Sequence, residues 1–214
     1  MYNIKIGDKY TYTDWNLKAT NISIGFPEVK TKQVDIAAAH GILNMSRTFG
    51  EEKYGNRTIS MSFTFDGDYD IWQDKISEIA GYLHGNCFNL VFVDSDPDYF
   101  YNGTFTISTS KENDVDADIQ ISCDAYPFKR KIQETVVTQG PCSEAEIILP
   151  CGKESVLPMI KNSQTAQIVF GEKSFSVNAG THERLLGFRL TKGENHVIVT
   201  TTGQITFQYR EGDL

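Results

Sequence analysis

Residues 70–85, Asp-Ile-Trp-Gln-Asp-Lys-Ile-Ser-Glu-Ile-Ala-Gly-Tyr-Leu-His-Gly, form the one long stretch whose apolar positions follow a helical repeat. The apolar side chains recur at i, i+4, i+7, i+8 and i+11, which places them on one face of an α-helix. Asp70, with Gln73 three residues later, is predicted to cap the first turn, and Gly85 suits the left-handed position that ends a helix. A helix with a single apolar face needs a partner surface. The residues of that face are Trp72, Ile76, Ile79, Ala80 and Leu83.

The segments around this helix alternate apolar and polar residues with the two-residue period of a β-strand. Residues 59–65 alternate without interruption, and residues 88–93 are predicted to be buried on both faces beneath the helix. Further strands are predicted near residues 105–107 and 119–125, with Gly103 and the acidic run 112–118 as hairpin turns. Residues 1–26 add short strands, and residues 28–57 are predicted to form a loop or extended arm. The helix is therefore expected to cover a sheet.

The pattern restarts near residue 130, after Tyr126-Pro127-Phe128-Lys129-Arg130-Lys131. We predict a domain boundary here, between an N-terminal domain of residues 1–130 and a C-terminal domain of residues 131–214. Short apolar segments recur about every ten residues in the second domain, with turn residues between them, which predicts an antiparallel β-sandwich. The fold class is therefore mainly β. The predicted strands are 132–137, 147–149, 168–170, 175–177, 188–190, 197–200 and 205–209.

The charge of the chain is negative and locally concentrated. The 214 residues carry a formal net charge of −8, and residues 66–118 hold twelve carboxylates against Lys75 and Lys111. Binding to duplex nucleic acid or to anionic membranes needs clustered Lys and Arg, so neither partner is predicted for this segment. Two interpretations remain: a solvated acidic surface, or a wall past which DNA moves without binding.

Cysteine usage and hydropathy predict folding in a cytoplasm. The sequence has no apolar run of the roughly 18 residues that a membrane span needs, and its first residues do not resemble a secretion signal. The four cysteines are therefore expected to be reduced thiols without a zinc-binding spacing. They are Cys87, Cys123, Cys142 and Cys151.

The motifs predict no catalytic, cofactor or metal site. Asp94, Asp96 and Asp98 match the first ligand positions of a calcium loop, but Tyr99 stands where that loop needs glycine, and Phe105 where it needs glutamate. This segment is predicted to be a turn. The four histidines lack the spacing of zinc ligands or of a catalytic triad. His84 is expected to interact with the carbonyl end of the helix. An enzyme is not predicted.

Short motifs distributed over nearly the whole chain resemble, in their order and spacing, the distal tail protein family of bacteriophages with long non-contractile tails. They include residues 54–57 leading into the alternating strand, the helix ending in Leu83-His84-Gly85, the segment 94–103, and the C-terminal Gly193-Glu194-Asn195-His196. Each motif alone is weak, and the combination is specific. The motif residues are Gly41, Asn56, Arg57, Trp72, Gly85, Asp96, Gly103, Pro127, Gly193, Asn195 and Gly212.

This resemblance implies a structural role at the phage tail tip, without a cofactor. Members of the family form a homo-hexameric ring that stacks on the tail tube protein and carries the tail-associated hub or fibre protein on its other side. Their C-terminal domain is a galectin-like or carbohydrate-module-like sandwich outside the ring, often holding receptor-binding proteins. The chain would then be made in the host cytoplasm and reside in the virion. DNA would pass through the ring without stable binding, and no membrane would be contacted.

A carbohydrate-binding module that contributes to host-surface recognition is the alternative hypothesis. In that case the C-terminal sandwich would bind a glycan through exposed aromatic side chains. Most of the candidates lie in alternating strands, where packing in the core is the usual role of an aromatic residue. The candidates are Phe175, Phe188, Phe207 and Tyr209.

Overall fold

The structure, a computed structural model, describes residues 3–35, 40, 42–44, 51–112 and 117–214. The chain divides into two compact units, Met1–Pro127 and Phe128–Leu214. Strands dominate both units, so the predicted mainly β fold is confirmed.

The N-terminal unit is built on an antiparallel sheet. Its strands are β1 (Ile4–Ile6), β2 (Lys9–Tyr10), β3 (Leu17–Ile24), β4 (Gln33–Asp35), β5 (Ile42–Asn44), β6 (Arg57–Phe65), β7 (Cys87–Phe92), β8 (Asp96–Glu112) and β9 (Ala117–Ala125). The sheet order is β2-β1-β7-β8-β9-β6-β3. β4 and β5 form a separate antiparallel pair within the segment predicted to be an arm.

The helix α1 (Trp72–Leu83) follows a 3-10 turn, Tyr69–Ile71. Trp72, Ile79 and Leu83 are buried in one core with the sheet, as the helical repeat predicts. The Trp72 ring centroid lies 5.1 Å from that of Phe65 on β6. Gly85 adopts φ +79°, the predicted left-handed conformation.

The predicted capping role of Asp70 is wrong. Ile71 is the N-cap residue, and no side chain caps the first turn. Asp70 lies in the 3-10 turn, where its backbone N–H donates to Asp68 Oδ1 at 3.2 Å. That turn moves the N-cap one residue beyond the predicted position, so the side chain of Asp70 is out of position for capping.

Three predictions near the helix are also corrected. His84 is the C-cap residue and its backbone N–H donates to the carbonyl of Ala80, but its side chain does not bind the helix end: Nδ1 accepts a hydrogen bond from the backbone N–H of Ile107 at 3.2 Å. β7 is buried on one face only, because Asn89 is exposed while Leu90 is buried. Gly103 lies inside β8 and not in a turn. The rest of the acidic run, residues 113–116, lies outside the described residues.

The C-terminal unit contains two antiparallel four-stranded sheets, with orders β11-β18-β13-β16 and β12-β17-β14-β15. Side chains from both sheets share one core, which confirms the sandwich. β10 pairs with β19 beside them. The strands are β10 (Lys129–Lys131), β11 (Thr135–Gln139), β12 (Cys142–Cys151), β13 (Met159–Asn162), β14 (Ala166–Phe170), β15 (Lys173–Val177), β16 (Gly180–His182), β17 (Gly193–Thr201), β18 (Ile205–Tyr209) and β19 (Gly212–Asp213).

Two strand predictions in this unit are wrong. Residues 188–190 form no strand: Leu190 makes an isolated bridge with Val156, and Phe188 enters the core from a loop. The predicted strand 132–137 instead begins at Thr135, with Ile132 exposed before it. The guanidinium of Arg210 binds the backbone carbonyl of Ile132, which holds this residue outside the sheet.

Candidate assembly surfaces

Three motif residues from two distant parts of the sequence meet at one end of the N-terminal sheet. Arg57 on β6 and Gly103 on β8 both lie opposite Ala125 of β9. Asn56 precedes β6, and its Nδ2 donates to Asp124 Oδ2 at 3.1 Å. Position 103 has room only for glycine, since a Cβ there would lie 2.5 Å from the backbone oxygen of Asp124.

Arg57 is a buried cation without a carboxylate partner among the described residues. Its side chain is 3% exposed, and its guanidinium carbon lies 5.3 Å from the centroid of the Tyr101 ring. Its Nε and Nη2 have no hydrogen-bond partner. Burial lowers the pKa of Arg57, because removal from water disfavours the charged form. The aromatic ring therefore provides the main stabilisation of this charge.

An open sheet edge and an exposed apolar segment follow each other at β3. The strand ends the sheet order and, among the described strands, pairs with β6 alone. Directly after it, Phe26 is 84% exposed. Ile24 and Val29 on either side are exposed as well. An edge strand offers unpaired backbone groups, and exposed apolar side chains beside it are typical of an interaction surface. The motif residue Gly41 lies outside the described residues.

The carboxylates between residues 66 and 118 lie at the surface. Asp66, Asp68, Asp70, Asp74 and Glu78 are exposed before and along the helix. Lys75 and Glu78 form an ion pair at 2.8 Å on the helix. The exposure of the described carboxylates fits both interpretations of the charge pattern, a solvated surface and a wall past which DNA moves.

The C-terminal motif residues stabilise the sandwich. Asn195 is 5% exposed, and its Nδ2 donates to the backbone carbonyls of Leu149 at 3.1 Å and Thr191 at 2.8 Å. Gly193, at the start of β17, has φ +104°. Gly212 lies against Glu154, leaving no room for a Cβ. These contacts satisfy buried polar groups and fix turns, and they form no open site.

The remaining motif residues are dispersed. Trp72 and Gly85 belong to the helix and its end, and Asp96 begins β8 opposite Phe92. Pro127 is buried and ends the N-terminal unit. The structure therefore brings together Asn56, Arg57 and Gly103 in the first unit, and it distributes the others.

The four aromatic candidates for glycan binding pack in the C-terminal core. Phe188 and Phe207 are fully buried, Tyr209 is 5% exposed, and Phe175 is partly buried against the same cluster. The rings of Phe175 and Phe188 make an edge contact with centroids 5.8 Å apart. A sugar-stacking platform needs an exposed ring face, which these side chains do not offer.

An arginine-rich cavity of about 500 Å³ in the C-terminal unit was not predicted from the sequence. The four arginines in its lining come from three segments spread over eighty residues, so no local motif marks them. Arg130 and Arg210 flank the sandwich strands, whereas Arg184 and Arg189 share a loop. Only the fold brings their charges together.

Metal-binding and membrane-spanning features are absent from the described part of the chain. Its residues include no group of three or more His, Cys, Asp or Glu that could hold a metal ion. Its one α-helix is too short and too polar to cross a membrane. The four cysteines are free, and burial raises the pKa of the Cys123 thiol to about 12.

Comparison with known proteins shows the fold. No protein-family model and no curated protein matches the chain. Among solved structures, the crystal structure of SPP1 Dit matches with a TM-score of 0.70 and 14% identity, over 98% of this chain and 99% of that chain. The phage p2 baseplate structures in the activated conformation with Sr and with Ca match at TM-scores of 0.43, with 8% and 9% identity. Each covers 99% of this chain and 98% of that chain.

The architecture, a helix-covered sheet in the first unit and a β-sandwich in the second, is one that this chain shares with a solved phage protein. More particularly, the chain has the fold of the SPP1 Dit protein along its whole length, and the resemblance to siphovirus distal tail proteins is confirmed in the fold. SPP1 Dit is described as a paradigm of the hub adsorption apparatus in phages that infect Gram-positive bacteria.

Proposed function

We propose that this protein is a structural component of a phage tail tip, where it forms a hexameric ring that joins the tail tube to the tail-associated hub or fibre protein. The observation that carries the proposal is the match to SPP1 Dit over 98% of this chain and 99% of that one. Because the whole length is covered, both units have a counterpart in a hub protein. The proposal places the protein in the virion and assigns it no catalytic activity.

The N-terminal unit has features that a ring requires. A closed ring of identical chains needs two different complementary patches on each subunit. The strand order ends at β2 on one side and at β3 on the other, so the sheet has two different edges. β3 also leads into the exposed Phe26. We assign the β3 edge and Phe26 to one of the two ring contacts.

The acidic surface has a role in this assembly if it lines the ring. The exposed carboxylates of residues 66–118 would repel the DNA backbone and let it pass without binding. The opposite arrangement, with basic side chains inward, would hold DNA through phosphate contacts. A ring structure in which these carboxylates all point outward would refute this part of the proposal.

The experiment is light scattering of the purified full-length chain, alone and mixed with the tail tube protein and the hub protein of the same phage. The expected mass of the ring is six times 24.1 kDa. Phe26→Asp is expected to lower the mass to that of single subunits by placing a charge in the contact. Val136→Asp, a change of the same kind at a side chain that is 57% exposed in the other unit, is expected to leave the ring intact.

The proposal is contradicted if the chain keeps a single-chain mass both alone and in the mixture, or if it forms a ring of a different number of copies. Loss of the ring in both variants would show that Phe26 is not the specific contact. Electron microscopy of the mixed sample would then determine which faces of the subunit meet.

A further inference from the structure

The arginine-rich cavity of the C-terminal unit concentrates positive charge in a chain whose net charge is −8. Four arginines and one carboxylate, that of Glu154, line the cavity. A guanidinium offers five N–H donors in a planar fork that matches the two oxygens of a carboxylate. The cavity is therefore suited to an anionic group.

Two of these arginines are fixed by the fold. Arg130 makes a bidentate pair with Glu154, with its Nε 2.9 Å and its Nη2 2.5 Å from the two carboxylate oxygens. Arg210 donates to Glu134 Oε1 at 3.0 Å and to the backbone carbonyl of Lys131 at 2.5 Å. Their donors are largely used within the protein, so they contribute a rigid, positively charged wall.

The other two arginines have their donors free. Arg184 and Arg189 are exposed in the loop between β16 and β17. Neither makes a hydrogen bond or an ion pair within the part of the chain that the structure describes. The loop turns at Gly187, whose φ of +87° favours glycine. Two unpaired guanidiniums thus face a cavity whose other arginines are already held.

Apolar groups beside these guanidiniums indicate the kind of ligand. Val156 and Leu157 line the cavity together with the arginines. Leu186 is not part of the lining, but it lies between Arg184 and Arg189 in the sequence of the loop and is 88% exposed. A free phosphate would gain nothing from these side chains, whereas arginine with adjacent apolar surface is typical of the centre of a protein–protein contact.

We propose that this cavity docks an acidic segment of a partner protein. Asp or Glu carboxylates of the partner enter and pair with Arg184 and Arg189, and a neighbouring apolar side chain contacts Leu186. The complementary charges provide both attraction and orientation. This inference goes beyond the proposed function, because it holds whether or not the chain forms a ring.

The test is fluorescence anisotropy of a labelled peptide of alternating Glu and Leu, titrated with the full-length chain at low and at physiological ionic strength. The double variant Arg184→Glu/Arg189→Glu is expected to weaken binding by at least about tenfold, because two charge-assisted pairs become repulsive. Leu186→Ser is expected to weaken binding about threefold, since apolar contact is lost. A peptide with Gly in place of Leu should not distinguish Leu186→Ser from the wild type.

The matched control is Lys30→Glu/Lys53→Glu, which changes the net charge equally at two exposed lysines of the N-terminal unit outside β3. Its affinity is expected to stay within about twofold of the wild type, because the ligand charge is contacted locally and screened beyond about 10 Å. Circular dichroism and thermal unfolding show whether each variant is folded. If the Glu variant is not, Arg184→Gln/Arg189→Gln replaces it.

Four outcomes would overturn the proposal. No peptide binding by the folded wild type would do so. An equal loss of peptide affinity in the lysine control would show that the peptide is held by nonspecific charge attraction. Displacement of the peptide by millimolar inorganic phosphate, with no effect of Leu186→Ser, would assign the cavity to a small oxyanion. A fall in the mass of the assembly on charge reversal, without peptide binding, would assign it to a second copy of this chain.

Discussion

The two units bury their cores in different ways. The N-terminal unit covers one face of a single sheet with one helix, whereas the C-terminal unit packs two sheets against each other. The first arrangement leaves polar side chains such as Ser60 and Ser62 of β6 partly exposed on the other face, and it leaves two sheet edges. The second arrangement buries the inner faces of both sheets. Its main surface feature is a cavity lined partly by loop residues. Assembly surfaces are accordingly expected on the sheet of the first unit and at the loops of the second.

The two units also differ in what surrounds an arginine side chain. Arg57 of the first unit is buried against an aromatic ring with two donors unused. Arg130 of the second is bound by both oxygens of Glu154, a carboxylate that is 8% exposed. The first charge is stabilised by the Tyr101 ring and has no carboxylate partner among the described residues, whereas the second is paired with a buried anion. The surrounding packing accommodates the charge of Arg57, whereas the buried carboxylate of Glu154 needs the charge of Arg130.

The largest expected effect comes from removing the main core side chain of each unit. Trp72→Ala is expected to destabilise the N-terminal unit by about 3 to 5 kcal/mol, and Phe188→Ala the C-terminal unit by a similar amount, through lost packing and a cavity. Urea denaturation followed by tryptophan fluorescence reports the first unit, because Trp15 and Trp72 both lie there. Far-UV circular dichroism reports both. A nearly neutral Trp72→Ala would show that the helix is not packed on the sheet as described.

The next largest expected effect on stability comes from the close approach of β8 and β9 at Gly103. Gly103→Ala would place a Cβ 2.5 Å from the backbone oxygen of Asp124 and is expected to cost about 1 to 3 kcal/mol. The matched control is Gly81→Ala in the helix, where a Cβ meets nothing within 4 Å. It is expected to stabilise by about 0.5 to 1 kcal/mol. Chemical denaturation measures both, and equal effects would argue against the strand register.

The arginine comparison gives a smaller effect. Arg130→Met is expected to cost about 1 to 3 kcal/mol, because it leaves the carboxylate of Glu154 buried without its partner. Arg57→Met is expected to change stability by less than about 1 kcal/mol, or to stabilise, since the methionine keeps the packing and removes an incompletely satisfied cation. Thermal unfolding of both variants tests the contrast. The interpretation fails if Arg57→Met is the more damaging change.

The smallest effect is a pH dependence of the C-terminal unit. Hydrogen bonding from Gln208, and then the charge of Arg210, hold the pKa of Glu134 below its ordinary 4.5. A lowered pKa in the folded state means that this stabilisation is present above about pH 4.5 and is lost as the pH falls through the folded value. Glu134→Gln should remove that part of the acid sensitivity of the melting temperature. Glu172→Gln, at an exposed glutamate, should not.

Part of the fold could be predicted from local patterns. The period of Trp72, Ile79 and Leu83 predicts their shared buried face, and the alternation through Ile59 and Phe63 predicts a strand buried on one face. Gly103 shows the limit, because glycine within a strand and glycine in a turn look alike in sequence. Only the position of Asp124 on the neighbouring strand distinguishes the two cases.

The candidate sites were less predictable than the fold. Asn56 and Arg57 could be singled out by motif, but the lack of a carboxylate near Arg57 depends on the register of β6, β8 and β9. The pairing of Arg130 with Glu154, and the convergence of the arginines on one cavity, depend on contacts between residues far apart in the chain. No periodicity encodes such contacts.

The sequence by itself determined the fold class, the one amphipathic helix and the acidic character of residues 66–118, because each follows from local periodicity or charge. The tertiary structure alone decided which charges are paired and which are free. Arg184 and Arg189 became candidate ligand-binding residues, and the aromatic side chains of the sandwich became core, through packing between distant segments. The free energy of an ionic or apolar side chain depends on what surrounds it in the folded chain, and a linear pattern does not contain that environment.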